Sequence, residues 1–123
     1  MLERIVVCER GTCGHRGRLD WIADGRVSLH RASSKEAMSA LPDAGLDFVY
    51  VDGDHAYEAV RQDLDLAYAK TRVSGFICID DHMTGKWWGD GVVRATNEFL
   101  GAHPSALEIV FMADTQVVVR KRA

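Results

Sequence analysis

Hydrophobic positions along this chain fall into short apolar runs that alternate with longer stretches of helical spacing. Residues 4–8 (RIVVC) form a short apolar run rich in β-branched side chains, which predicts a buried strand. Residues 46–51 are apolar except for Asp47, which predicts a strand with both sheet faces covered. Residues 26–31 alternate apolar and polar side chains, the pattern of a strand with one exposed face. A further buried strand is predicted at residues 76–79, directly after Gly75.

Helical periodicity separates these runs. Residues 56–71 place Val60, Leu64, Ala67 and Tyr68 on one face, and residues 91–104 do the same with Val92, Thr96, Phe99 and Leu100. Two shorter helices are predicted, one over residues 18–25 closed by Gly25 and one that starts at an N-cap Ser34 and stops before Pro42.

The order of these elements predicts the fold class. Strands that alternate with helices indicate βαβ units and a mainly parallel sheet. Residues 107–113 and 116–122 read as two strands joined at Asp114 and Thr115, so the sheet should end in an antiparallel hairpin. We therefore expect an α/β fold with helices on both faces, forming one domain over residues 1–123.

Composition narrows the class of protein. The 123 residues are 47% hydrophobic and 27% charged, with a net charge of -3, so no basic footprint for nucleic acid is present. No apolar run approaches the roughly 20 residues that span a bilayer, and the first residues do not resemble a signal peptide, so a cytoplasmic location is expected. Cys8, Cys13 and His15 do not have zinc-finger spacing, and the three cysteines, Cys8, Cys13 and Cys78, are expected to be reduced thiols.

Acidic residues and histidines follow two neighbouring predicted strands. VDGDH ends the first and IDDH ends the second, which places six side chains at the carboxyl edge of a parallel sheet: Asp52, Asp54, His55, Asp80, Asp81 and His82. Such closely spaced carboxylates require a cation or a proton, and oxygen ligands favour Mg²⁺. Asp54 is expected to cap the next helix, and histidine is the usual general base near neutral pH.

Two other segments could contribute to a site. The loop after Asp81 carries Trp87 and Trp88, which could either contact a substrate or pack on the sheet edge. GTCGHRG follows the first strand, but its glycine spacing is not that of the usual dinucleotide-binding turn. Glu9 stands at that strand end, where an acid can accept hydrogen bonds from ribose hydroxyls or simply remain exposed.

VDGDHAYEAVRQDLDLAYAK, SGFICIDDH and GVVRATNEFL resemble the class I S-adenosylmethionine-dependent methyltransferases. The likeness covers residues 26–119 and is closest to the metal-dependent O-methyltransferases, the macrolide sugar O-methyltransferases and the cephalosporin hydroxylase-like proteins. It implies a Rossmann-like fold and Mg²⁺ held by Asp52, Asp80 and Asp81. It also implies His55 as catalytic base and S-adenosylmethionine bound by Glu9, Ser33 and Asp52.

The implied reaction is methyl transfer to a hydroxyl group of a small molecule. The sequence departs from the family at one point, because it does not contain the E-x-G-x-x-x-G turn with which these enzymes bind the cofactor. Either residues 4–9 are the family's second strand and the glycine motif is missing, or ERGTCG is a degenerate motif and the second strand is deleted. The distance from Glu9 to residues 26–30 favours the first option.

A domain that is shortened at its N-terminus has two further consequences. An exposed sheet edge is normally covered, so a homodimer is expected, in which a partner chain could supply the central strand. A shortened relative could also have lost methyl transfer and act as a metal-binding or oligomerising module. Hydroxylase-type chemistry on the same acidic residues is a third hypothesis.

Overall fold

The computed structural model describes residues 5–8, 25 and 27–123. The chain divides into two compact units, Met1–Ala40 and Leu41–Ala123. The predictions for Glu9, Cys13, the GTCGHRG segment and most of the helix at residues 18–25 lie outside the described residues.

In the first unit, strand β1 (Ile5–Cys8) pairs in parallel with β2 (Val27–His30). Helix α1 (Ser34–Ser39) follows. Its N-cap is Ser33 and not Ser34 as predicted, because Glu36 lies three residues after Ser33 and completes a capping box. The Glu36 amide donates to the Ser33 hydroxyl at 3.2 Å, and the Ser33 amide donates to the Glu36 carboxylate at 3.0 Å.

The second unit contains a four-stranded mixed sheet. Its strands are β3 (Leu46–Val51), β4 (Thr71–Ile79), β5 (Leu107–Ala113) and β6 (Gln116–Lys121), in the order β3-β4-β6-β5. β3 and β4 are parallel, whereas β6 is antiparallel to both of its neighbours. The predicted hairpin at Asp114 is confirmed, with Asp114 in the left-handed region at φ 51°.

β4 begins earlier than the predicted strand at residues 76–79. Thr71 already pairs with Leu46, after which the register shifts and Phe48 pairs with Phe76. At the shift, Gly75 approaches β3 so closely that an added Cβ would lie 2.9 Å from the carbonyl oxygen of Asp47. Glycine therefore marks a close backbone approach inside the strand and not its start.

Two helices cover one face of this sheet. They are α2 (Tyr57–Lys70) and α3 (Gly91–Ala102), of 14 and 12 residues. Their inward positions agree with the predicted spacing, and the buried core combines them with alternate residues of β4 and β6: Val60, Leu64, Ala67, Ile77, Ile79, Val92, Ala95, Phe99, Val117 and Val119. None of the helices in the described residues has the length and apolar character that a bilayer span requires.

One face of β3 is exposed, although the sequence predicted that both of its faces are covered. Phe48 and Tyr50 are 43% and 46% exposed, because side chains alternate along a strand and α2 and α3 lie on the side of Val49 and Val51. Edge strand β5 is also exposed, including Phe111 at 54%. The sheet of this unit thus has one well-packed face and one face rich in solvent-exposed apolar side chains.

Two lysines bind backbone carbonyls around the end of α2. Lys70 Nζ donates to the Leu41 carbonyl and to the Asp43 carboxylate, both at 2.7 Å. Lys121 Nζ donates to the carbonyls of Tyr68 at 2.8 Å and Thr71 at 3.0 Å. The last carbonyls of a helix lack intrahelical donors, so Lys121 stabilises the helix-to-strand junction, whereas Lys70 ties the end of the helix to the segment before β3.

Candidate functional site

The carboxyl ends of β3 and β4 lie side by side, as parallel pairing requires. Val51 pairs with Ile79, and the amide of Asp80 donates to the carbonyl of Val51 at 3.0 Å. The chain segments that begin at Asp52 and at Asp80 therefore leave the sheet at the same edge. This arrangement carries the predicted acidic residues into one region.

Three side chains converge at this edge. Asp52, His55 and Asp81 each offer one ligand atom, and those atoms all lie within 4.8 Å of one another. Asp52 is exposed, whereas His55 and Asp81 are partly buried. The predicted metal ligands were Asp52, Asp80 and Asp81, so the group that the structure assembles contains His55 in place of Asp80.

The imidazole of His55 is fixed on two sides. Its Nε2 atom lies 2.7 Å from Oδ2 of Asp81, and its ring centroid lies 4.5 Å from that of Trp88. Trp88 in turn packs against the hydrophobic core. The backbone around His55 is confined too, because Gly91 at the start of α3 leaves no space for a Cβ atom, which would lie 2.4 Å from the His55 carbonyl oxygen.

Asp80 has a different set of partners. Its carboxylate accepts hydrogen bonds from the Tyr50 hydroxyl and, at 2.9 Å, from the backbone amide of Asp81. Burial opposes ionisation of Asp80, but these hydrogen bonds and others outweigh it, and the pKa of Asp80 lies below its ordinary value. The same contact with Asp80, followed by burial, raises the pKa of Tyr50.

Asp80 thereby supports the turn that presents Asp81. Asp81 adopts a left-handed backbone conformation, with φ 54°, and its amide is held by Asp80. Asp tolerates this region better than most residues. The turn is therefore well suited to projecting the Asp81 carboxylate towards His55.

Asp52 experiences the accumulated negative charge of the site. Partial burial raises its pKa, and the carboxylates of Asp80 and Asp81 raise it further, whereas His55 lowers it. A carboxylate with a raised pKa gains from a nearby cation. Together with Val60 and Val92, Asp52 also lines a small pocket that is open to solvent.

The remaining predicted residues have local roles. Asp54 accepts a hydrogen bond from the amide of Ala56 at 2.8 Å, so it shapes the entry to α2, but the N-cap residue itself is Ala56. His82 lies 3.3 Å from the Asn97 side chain. The Ser33 hydroxyl, predicted to bind cofactor, is engaged in the capping box of α1.

Three residues of the site were not identified from sequence: Tyr50, Trp88 as a partner of His55, and Gly91. Tyr50 lies two positions before Asp52. Because side chains alternate between the two faces of a strand, this spacing predicts that both lie on the same face. Trp88 and Gly91 carry no comparable signal, because their contacts depend on how the loop and α3 fold back onto residues 55–57.

Comparison with known proteins identifies the family. A methyltransferase domain model matches residues 12–82, more than half of the chain. An uncharacterized protein of Acanthamoeba polyphaga mimivirus, R132, is 34% identical over 75 residues, which is 58% of this chain and 34% of that protein. The chain belongs to this methyltransferase domain family, within the class I S-adenosylmethionine-dependent superfamily.

Solved structures show the same fold. A Clostridium thermocellum structure assigned as an rRNA methylase aligns with a TM-score of 0.76 at 16% identity, over 98% of this chain and 73% of that chain. CalS11, a TDP-rhamnose 3'-O-methyltransferase, aligns with a TM-score of 0.64 at 16% identity, over 95% of this chain and 57% of that chain. The Podospora anserina methyltransferase PaMTH1, bound to S-adenosylhomocysteine, aligns with a TM-score of 0.63 at 14% identity, over 98% of this chain and 61% of that chain. The predicted Rossmann-like fold class is confirmed.

Proposed function

We propose that this chain is a domain for O-methyl transfer from S-adenosylmethionine to a small hydroxylated molecule, assisted by a divalent cation such as Mg²⁺. The observation that carries the proposal is the His55–Asp81 pair, 2.7 Å apart, beside Asp52 at the end of β3. Membership of the methyltransferase family supports methyl transfer in general. The similar fold of CalS11, which methylates the sugar of TDP-rhamnose, supports an oxygen acceptor.

His55 can act as the general base of this reaction. When its Nε2–H donates to Asp81, its Nδ1 atom carries a lone pair and can take the proton of a substrate hydroxyl. The Asp81 carboxylate then stabilises the imidazolium. The hydroxyl oxygen forms a bond to the methyl carbon, the carbon–sulfur bond breaks, and its electron pair stays on sulfur as a neutral thioether.

The cofactor would supply an electrophilic methyl group on a positively charged sulfur. Within residues 41–123, the pocket at Asp52 is small and open to solvent, so it can receive only part of a cofactor. We propose that Glu9, in the part outside the described residues, and Ser33 contribute the nucleoside contacts, as the family resemblance implies.

The donor atoms at this edge fit a divalent cation. Two carboxylates and an imidazole lie within 4.8 Å of one another. Partial burial and then the carboxylates of Asp80 and Asp81 raise the pKa of Asp52, and a cation would stabilise its ionised form. A cation there would lower the pKa of a coordinated hydroxyl group. Asp52 and Asp81 are the proposed ligands, and Asp80 could join them if the Tyr50 contact opens, whereas His55 remains free to act as the base.

Calorimetric titration tests the proposal. We expect the intact chain to bind S-adenosylmethionine, and Mg²⁺ to bind to wild type but only weakly to Asp81→Asn. Asp114→Asn is the matched control, because it removes one exposed carboxylate at the β5–β6 turn and keeps a residue that tolerates a positive φ. Absence of cofactor binding at millimolar concentration would refute methyl transfer by this chain.

That negative outcome would favour a second function, a metal-binding or oligomerising module. The specific observation behind it is that all three residues of the acidic group, Asp52, His55 and Asp81, lie within Leu41–Ala123. In that case Mg²⁺ would still bind to wild type, Asp81→Asn would still weaken it, and no methyl transfer would occur.

We also propose that two copies of this chain form a homodimer. Strand β5 is an edge of the four-stranded sheet, and four consecutive apolar residues on it are exposed by 45–59%: Ile109, Val110, Phe111 and Met112. Open apolar edge strands are normally covered. Sedimentation equilibrium should show dimers of wild type and monomers of Val110→Lys, and monomeric wild type at high concentration would contradict the proposal.

A further inference from the structure

The turn between β5 and β6 contacts the segment that follows β4. Val117 pairs with Ile79, so the residues just before Val117 lie beside the segment that begins at Asp80. The carbonyl of Thr115 accepts a hydrogen bond from the amide of His82 at 2.9 Å, and its hydroxyl lies 3.4 Å from Oδ1 of Asp80. A hairpin that is distant in sequence thus supports the turn after β4.

The side chain of Gln116 extends this contact to β3. Gln116 and Tyr50 both lie on the sheet face away from the core, because side chains alternate along a strand and their neighbours pack in or against the core. The Gln116 side-chain amide donates to the Tyr50 hydroxyl at 3.1 Å, and this hydroxyl donates to the Asp80 carboxylate. Since an amide N–H can only donate, the Tyr50 oxygen is the acceptor from Gln116, and its own proton is left for Asp80.

These hydrogen bonds continue to the candidate base. The Asp80 carboxylate is held at both oxygens, Oδ2 by the Tyr50 hydroxyl and Oδ1 by the Asp81 amide at 2.9 Å. Asp81 has a φ of 54°, and its own carboxylate lies 2.7 Å from Nε2 of His55. Hydrogen bonds in such a chain polarise and orient one another. Rotation of the Asp80 carboxylate would release the Asp81 amide and loosen the turn.

We propose that Gln116 is a positioning residue for the candidate base pair, because it fixes the Tyr50 hydroxyl on Asp80 and thereby the turn that presents Asp81 to His55. The inference rests on the proposed function and adds to it a residue of β6 that acts through two others. Gln116 is half-buried and lies outside the core cluster, so its replacement should hardly change stability.

Residue-resolved amide hydrogen exchange, measured by NMR on the intact chain without added ligand, tests the proposal. Gln116→Met keeps the length of the side chain and removes its donor, whereas Gln116→Glu keeps its shape and can only accept when ionised. Tyr50→Phe and the double variant Tyr50→Phe/Gln116→Met complete a cycle. Gln62→Met is the matched control, because it removes the same amide at an exposed position of α2. Thermal unfolding checks the fold of each variant.

We expect the Asp81 amide to exchange about 2–10-fold faster in Gln116→Met, the range that loss of one neutral hydrogen bond produces. Gln116→Glu should have a larger effect, because its carboxylate competes for the Tyr50 proton and repels Asp80. In the Tyr50→Phe background Gln116→Met should add nothing. The single-turnover rate of methyl transfer should fall about tenfold in Gln116→Met with unchanged affinity for S-adenosylmethionine. Gln62→Met should match wild type in every measurement.

Wild-type exchange at Asp81 in Gln116→Met overturns the proposal, and so does a further increase when Gln116→Met is added to Tyr50→Phe. Exchange that rises equally at the buried amides of β4 also overturns it, because the effect is then a general loss of stability. In a chain that transfers methyl groups, a wild-type rate in Gln116→Met has the same consequence. Failure of the proposed function has a different signature: exchange at Asp81 would depend on Gln116 while S-adenosylmethionine does not bind.

Discussion

Oδ2 of Asp81 lies 2.7 Å from Nε2 of His55, and this pair joins the ends of two neighbouring parallel strands. If the pair performs base catalysis, His55→Gln should lower the rate of methyl transfer to a small hydroxylated acceptor by about 10²–10⁴-fold. Asp81→Asn keeps the imidazole but removes its charged partner, and should lower the rate by about 10–100-fold. Single-turnover kinetics with S-adenosylmethionine would measure both.

Asp114→Asn serves as the control for that pair of variants, because it also removes one carboxylate and lies at the hairpin turn. It should retain the wild-type rate. Equal rates for wild type and His55→Gln would exclude His55 as the base.

Gly91 provides a second test, of the backbone that positions His55. An alanine there would place its Cβ 2.4 Å from the His55 carbonyl oxygen and 2.8 Å from the Tyr57 amide nitrogen, so the loop or α3 must move. We expect Gly91→Ala to weaken Mg²⁺ binding at least tenfold, in the range that loss of a supporting residue produces at metal sites. Isothermal titration with Mg²⁺ is the measurement.

Gly101 in the same helix is the matched control. A Cβ at that position meets no atom within 4 Å, so Gly101→Ala should leave Mg²⁺ binding unchanged. It should also raise the free energy of unfolding by about 0.5–1 kcal/mol through the better helix propensity of alanine. If both variants bind Mg²⁺ alike, the close contact at Gly91 does not position the site.

The sequence predicted the elements that have strong periodicity. Residues 60, 64 and 67 and residues 92, 96 and 99 are buried as expected, and the closing hairpin turns at Asp114. The early start of β4 was missed because the register shift near Gly75 depends on contact with Asp47, which is distant in sequence. Exposure of Phe48 was missed because an apolar run does not reveal which sheet face is covered.

The candidate site was predicted at the level of the sheet edge and not of individual contacts. Strand order alone brings Asp52 and Asp81 together, since parallel neighbours end at the same edge. The separate roles of Asp80 and Asp81 follow instead from Tyr50 and from the positive φ of Asp81. Adjacent acidic residues look equivalent in sequence, but the backbone turn points them at different partners.

Those different partners lead to a third prediction. Because Asp80 holds the Asp81 amide and contacts Tyr50, we expect Asp80→Asn to weaken Mg²⁺ binding only about tenfold, whereas Asp81→Asn should weaken it about 100-fold. Tyr50→Phe is the informative companion, since it frees the Asp80 carboxylate and should leave Mg²⁺ affinity equal or higher. A larger loss in Asp80→Asn than in Asp81→Asn would establish Asp80 as the direct ligand that the sequence predicted.

The Lys70–Asp43 ion pair predicts how stability depends on pH. The hydrogen bond and charge of Lys70 hold the pKa of Asp43 below its ordinary value, so the folded carboxylate binds a proton less readily than the unfolded one. The resulting stabilisation is complete above the unfolded pKa of about 4 and is lost as pH falls through the folded pKa. Urea unfolding midpoints should therefore fall more between pH 7 and pH 3 for wild type than for Asp43→Asn. The difference should be small, because the Asp43 side chain is 76% exposed.

Asp114→Asn is the control and should follow the wild-type pH profile. If Asp43→Asn loses as much stability in acid as wild type does, the ion pair between Lys70 and Asp43 does not contribute to stability.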